Sequence, residues 1–142
     1  MSESVYIIGV GMIKFGKYLE KGIKILTGEA LELVLKDCDL TRNDIQAAWF
    51  SNTGWGMYTF QHSIRGQVAL TANGLDKIPI TNVENACASG STALHDGWLA
   101  GVLQLGSGRP GAISRVLLLS DGQANHGLCD TAAIRAHCAL WL

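Results

Sequence analysis

The chain has 142 residues, 48% of them hydrophobic and 16% charged, with a formal net charge of -1. That composition describes a folded, core-rich chain rather than a disordered one. It carries no basic surplus for a nucleic-acid partner, and no apolar run nears the roughly 18 residues of a membrane span.

"VYIIGVGMIKFG" opens the chain as a β-branched and aromatic run ended by glycines, which predicts a buried strand. Gly9 and Gly11 are expected to permit a tight strand-to-loop turn. In "KGIKILTGEALELVLKDC", Ile23, Leu26, Ala30, Val34 and Cys38 recur at helical spacing and draw one apolar stripe. A short loop and a second strand around Ile45 to Ser51 follow in "DLTRNDIQAAWFSNTG". "QHSIRGQVALTANGL" predicts a helix ending near Gly74, and "KIPITNVENA" a third strand. "SGSTALHDGWLAGVLQL" predicts a third helix and "RVLLLSDG" a fourth strand. "GSGRPGAIS" between them is a surface loop, and "DTAAIRAHCALWL" is a last helix. Strands alternating with helices predict an α/β fold, a mainly parallel sheet layered with helices. Ligands in such sheets bind at the carboxyl ends of the strands, where both Cys87 and Asp121 fall.

The N-terminal "MSESVYIIGVG" lacks the basic n-region of a signal peptide, so a cytoplasmic chain is expected. The four cysteines, Cys38, Cys87, Cys129 and Cys138, form no CxxC pair. Reduced thiols are expected, with no structural zinc. "GVGMIK" lacks the third glycine of a dinucleotide fingerprint, Lys14 standing in its place, so no cofactor is expected.

The stretch richest in chemistry is "NVENACASGSTAL", residues 82–94. Cys87 follows a strand and precedes a helix whose free N–H groups and dipole favour a thiolate. Ala86, Ala88, Ser89 and Gly90 are small enough to let a bulky acyl group approach the sulfur. The competing reading is a buried, inert cysteine acting as a small hydrophobe. His62, His95, His126 and His137 are the available bases.

"VYIIGVGMIKFGK", "GEAL", "DIQAAWFSNTG" and "NVENACASGSTAL" together resemble the start of a thiolase-superfamily enzyme. The type they resemble most is the sterol-carrier-protein-like thiolases, over about residues 4–95. The resemblance implies the N-terminal half of a thiolase fold, with Cys87 as the acyl-accepting catalytic residue and acyl-CoA as substrate. It also implies a dimer with the loops near "SNTGWGMYTFQHS" close to the partner subunit. A small zinc-ribbon and OB-fold protein is a further implied partner. Thiolases are about twice as long or more, and their catalytic histidine and second acid–base cysteine belong to a later half that nothing here matches. An incomplete or partner-dependent acyltransferase is therefore expected.

Residues of about 91–135 resemble the middle of a von Willebrand factor A domain. By position Thr92 and Asp121 correspond to cation-holding residues there, but the family's Asp-x-Ser-x-Ser stretch is absent, so no working metal site is expected. The alternative function is a non-enzymatic A-domain-like binding module with a degenerate cation site. The organisation expected is one α/β domain over 1–142, thiolase-like over 1–95 and A-domain-like or divergent over 96–142. A truncated chain, or a chimeric one joined near residues 90–97, accounts for the overlap. Trp49, Trp55, Trp98 and Trp141 are expected in core or interface positions, and the apolar "ALWL" end favours an oligomer.

Overall fold

The computed structural model of the protein describes residues 5–105 and 115–119. The fold is α/β, and both strand pairs among the described residues are parallel. Strand β1 is Tyr6–Gly11, helix α1 Ile23–Cys38, β2 Ala48–Ser51, α2 Trp55–Thr59 and α3 Arg65–Thr71. Then come β3 at Ile80–Val83, α4 at Ser89–Leu105 and β4 at Arg115–Leu119. A single 3₁₀ turn, Arg42–Asp44, precedes β2. β1 pairs with β4, Tyr6 against Arg115 and Gly11 against Leu119, with one irregularity between Ile7 and Val10. Beside that irregularity the Val10 N–H donates to Asp37 Oδ2 of α1 at 2.9 Å. β2 pairs with β3 without interruption, Ala48 against Ile80 through Ser51 against Val83.

Side-chain alternation along β2 places the helices. Phe50 meets Gly66 of α3, whereas Trp49 meets Gly97 of α4. Neighbouring residues of a strand point to opposite faces, so α3 and α4 cover opposite sides of the β2–β3 pair. Gly66 leaves so little room that a Cβ there would lie 2.7 Å from Phe50 Cβ and 2.9 Å from Ile80 Cγ2. Backbone-to-strand approach of this kind fixes α3 against the sheet.

The predicted stripe on α1 exists, but it is one of two. Gly9 and Gly11 face the line Ala30, Val34 and Cys38. Leu31 and Leu35, on the adjacent ridge, join Val34, Leu70 and Leu75 in the buried cluster. α1 therefore packs against β1 with one ridge and towards α3 with the next, and its buried face is wider than a single stripe. The expectation for Gly9 and Gly11 is corrected by the same contacts. Both are buried inside β1 rather than in a turn. A Cβ on Gly11 would stand 2.6 Å from both Ala30 O and Val34 N. Their role is close helix-to-strand packing.

The segment 54–75 also differs from expectation. The helix predicted over residues 61–75 is present as α3, and an unpredicted short helix, α2, precedes it; Phe60 (φ 59°) and Ile64 (φ 46°) adopt left-handed backbone that ends α2 and opens α3. The side chain of Asn82 caps α3 from across the sheet, its Oδ1 accepting the Gly66 N–H at 2.6 Å. Gly74 (φ 84°) closes the turn after α3. The predicted last helix lies outside the described residues, as do Cys129, Cys138, His126, His137 and Trp141. No helix among the described residues is long and apolar enough to cross a membrane.

Candidate active site

β3 ends at the buried Val83, and after five intervening residues α4 begins at the buried Ser89. Cys87 lies in this short connection at the carboxyl end of the β2–β3 pair, and it is exposed. Cys87 is therefore not the buried small hydrophobe of the competing sequence reading. That reading does hold in part for Cys38, which is half-buried in the last turn of α1. There the thiol donates to Val34 O at 3.0 Å and Leu35 O at 3.6 Å.

The connection is tightly wound. The Ala88 N–H donates to Asn85 O at 2.9 Å, and the Ser89 N–H to Ala86 O at 3.1 Å. Between them Ala86 has φ 46°. Left-handed backbone costs a residue with a Cβ about 1–2 kcal/mol, so neighbours must hold it there. Several do. The Ala86 N–H donates to Glu84 Oε1 at 2.7 Å, and the Ala86 carbonyl accepts from the Ser89 hydroxyl at 2.7 Å and the Thr53 hydroxyl at 2.8 Å. The Ser89 oxygen in turn accepts the Asn85 N–H at 2.7 Å. The turn thus presents Cys87 just ahead of a 17-residue helix. The first N–H groups of a helix lack partners within it and carry the positive end of its dipole. An anionic sulfur or a developing oxyanion is favoured at such a position.

The small residues expected here do leave space. Ala86, Ala88 and Gly90 are exposed beside Cys87. A Cβ on Gly90 would find its nearest neighbour, Ser51 Oγ, a comfortable 4.0 Å away. Of the available histidines, His62 and His95 are not hydrogen-bonded to the thiol, which makes no hydrogen bond among the described residues, and His126 and His137 lie outside those residues. His62 is exposed and sits against Gly56, with its Nδ1 2.8 Å from where a Cβ would stand. His95 is exposed on α4 with Nδ1 3.2 Å from Asp96 Oδ1. Of the two cation-site positions, Asp121 lies outside the described residues. The Thr92 hydroxyl donates to Ala88 O and accepts from Asn85 Nδ2 at 3.1 Å, which ties it to the turn. Among the described residues no three His, Cys, Asp or Glu side chains converge on a point.

Thr53 was not singled out in the sequence. The available signal was its place in "SNTG", directly after β2, because parallel strands deliver their carboxyl ends to one edge.

A family model described as "Thiolase, N-terminal domain" matches residues 5–104. The chain belongs to the thiolase family. The match continues through residues 90–97, the interval where a join was expected, and into the end of α4. Among relatives, this thiolase chain is 43% identical over 96 residues to "Non-specific lipid-transfer protein-like 2" of Caenorhabditis elegans, covering 66% of this chain and 22% of that protein. It is 38% identical over 106 residues to an "Acetyl-CoA acetyltransferase" of Methanocaldococcus jannaschii, covering 75% of this chain and 26% of that enzyme. With "Benzoylsuccinyl-CoA thiolase subunit BbsB" of Thauera aromatica it shares 36% identity over 97 residues, 67% of this chain and 23% of that subunit. The match therefore spans about a quarter of the length of these curated relatives.

Proposed function

We propose that this thiolase chain carries the acyl-accepting step of a thiolase-type acyltransferase, with Cys87 as the nucleophile and an acyl-CoA as donor. The observation that carries the reading is the exposed Cys87 thiol, presented by a strained turn at the start of α4 in a chain of the thiolase family. In the step, the thiolate sulfur attacks the thioester carbonyl carbon, and the carbonyl electron pair moves to oxygen. When the tetrahedral intermediate collapses, the bond to the coenzyme A sulfur breaks and coenzyme A leaves as a thiolate that takes up a proton. The acyl group remains on Cys87 as a thioester. The positive end of the α4 dipole favours the negative charge that develops beside it during attack.

A thiol without a paired base is slow to turn over. Among the described residues, neither His62 nor His95 reaches Cys87, which supports an incomplete or partner-dependent form whose base comes from elsewhere. The exposed Met57, Tyr58 and Phe60 of the α2 segment, with Tyr58 and Phe60 each 85% accessible, support a second copy of the chain as the partner. A nucleophilic thiol suits a reducing compartment, in keeping with a cytoplasmic location.

The test is intact-mass spectrometry after incubation with acetyl-CoA and with a longer acyl-CoA. One acyl group per chain, located on the Cys87 peptide and missing from Cys87→Ala, is the expected result. No adduct on the wild-type chain, or an adduct that persists in Cys87→Ala, would sink the assignment.

A further inference from the structure

We propose that Thr53 and Ser89 are positioning residues for the Cys87 thiol, acting through the Ala86 carbonyl that both their hydroxyls hold. The inference rests on the acyl-acceptor reading of Cys87. Its starting point is that the Cys87 side chain makes no hydrogen bond of its own among the described residues. The direction of the sulfur is then set by the backbone of the turn alone. That backbone passes through Ala86 in the left-handed region, which an alanine does not hold unaided.

The restraint comes from two separate parts of the fold. Thr53 stands after β2, and Ser89 opens the helix that follows β3. Thr53 Oγ1 lies 2.8 Å from Ala86 O and 3.2 Å from Ser89 Oγ. Ser89 Oγ lies 2.7 Å from the same carbonyl and accepts the Asn85 N–H. Two hydroxyl protons serve these three oxygen–oxygen contacts, so the pair works as one unit around the carbonyl. Arg65 Nη1 donates to Thr53 O at 3.2 Å and anchors the outer half of the unit from α3. Without the Thr53 hydroxyl, the Ala86 carbonyl loses the only side-chain tie to a different strand end that it has among the described residues. The turn is then free to relax towards right-handed backbone, and the sulfur swings away from the start of α4.

Thr53 is exposed, so Thr53→Val tests the tie without opening the core. Two rates are read on the full chain by peptide mass spectrometry: acylation of Cys87 by acetyl-CoA, and alkylation of Cys87 by iodoacetamide. Cys38 alkylation in the same sample is the internal control, and thermal melting by circular dichroism reports the fold. Thr53→Val is expected to slow both Cys87 reactions about tenfold, the effect of one hydrogen bond at about 1.4 kcal/mol. Thr53→Ser, which keeps the hydroxyl, is expected to stay within about twofold of wild type, and Cys38 to be unchanged in both. A wild-type Cys87 rate in Thr53→Val overturns the proposal. So does a Thr53→Ser as slow as the valine variant, a parallel rise at Cys38, or loss of the fold in Thr53→Val, since each makes the contact merely structural. If the wild-type chain takes no acyl group, the acyl-acceptor reading fails, and the alkylation rates still decide the positioning role.

Discussion

Cys38 and Cys87 show how little residue type decides. Both are free thiols, yet one is spent on the carbonyls of its own helix and the other faces solvent from a strained turn. Neighbouring groups set the chemistry in each case. The same holds for charge. Lys21 donates to Glu29 Oε1 at 2.7 Å, and its ammonium lies 4.9 Å from the centre of the Tyr18 ring. The hydrogen bond to Glu29 holds the Lys21 pKa above the ordinary 10.5. A raised pKa means that the folded chain binds this proton more tightly than the unfolded one. The pair therefore favours folding below about pH 10.5 and loses that contribution as the pH climbs through the raised value. An NMR titration of the Lys21 side chain should show a midpoint above 10.5 that falls back in Glu29→Gln.

At the level of elements, helix placement is governed by glycines that let a backbone approach its neighbour closely, against backbone at Gly11 and against side chains at Gly66 and Gly97. Gly11 brings α1 onto β1, Gly66 brings α3 onto the β2–β3 pair, and Gly97 brings α4 onto Trp49. Gly11→Ala is expected to destabilise the chain by about 1–3 kcal/mol, read as a lower midpoint in denaturant at unchanged slope. The added methyl meets backbone atoms of α1, and backbone has no rotamer to escape into. α3 depends on a different device. Its N-terminal donor is satisfied by Asn82, a residue of β3, so Asn82→Ala should cost about 1 kcal/mol and lower the melting temperature. Asn82 also donates to Gln67 Oε1, and Gln67 donates to Ile80 O, so that loss should be partly rescued by Asn82→Asp, which keeps the acceptor.

At the scale of the whole molecule, two parallel pairs of strands and the helices between them bring Thr53 and Cys87 to the same edge. The buried cluster joins Leu31, Val34 and Leu35 of α1 to Leu70 of α3 and Leu75 and includes no residue of the connection that carries Cys87. The α2 segment is the opposite case, with Met57, Tyr58 and Phe60 turned outwards. If a second copy covers them, sedimentation velocity should show a dimer at micromolar concentration, and Phe60→Glu should shift it to monomer. A monomer at all concentrations would remove the second copy as the partner.

The sequence by itself determined the α/β class and, apart from the short α2, the order of strands and helices through β4, and it pointed to Cys87. Each rests on local signals: apolar periodicity, glycines at strand ends, and a small-residue stretch between a strand and a helix. Only the tertiary structure decided the purpose of Gly9 and Gly11, the second ridge of α1 and the short helix α2 ahead of α3. It also decided the exposure of Cys87 and the hold of Thr53 and Ser89 on Ala86. Most of those features depend on residues far apart in sequence coming together, as Gly9 meets Cys38, Gly11 meets Ala30 and Thr53 meets Ser89. Periodicity reports which face of an element is apolar; it does not report which neighbour that face will meet.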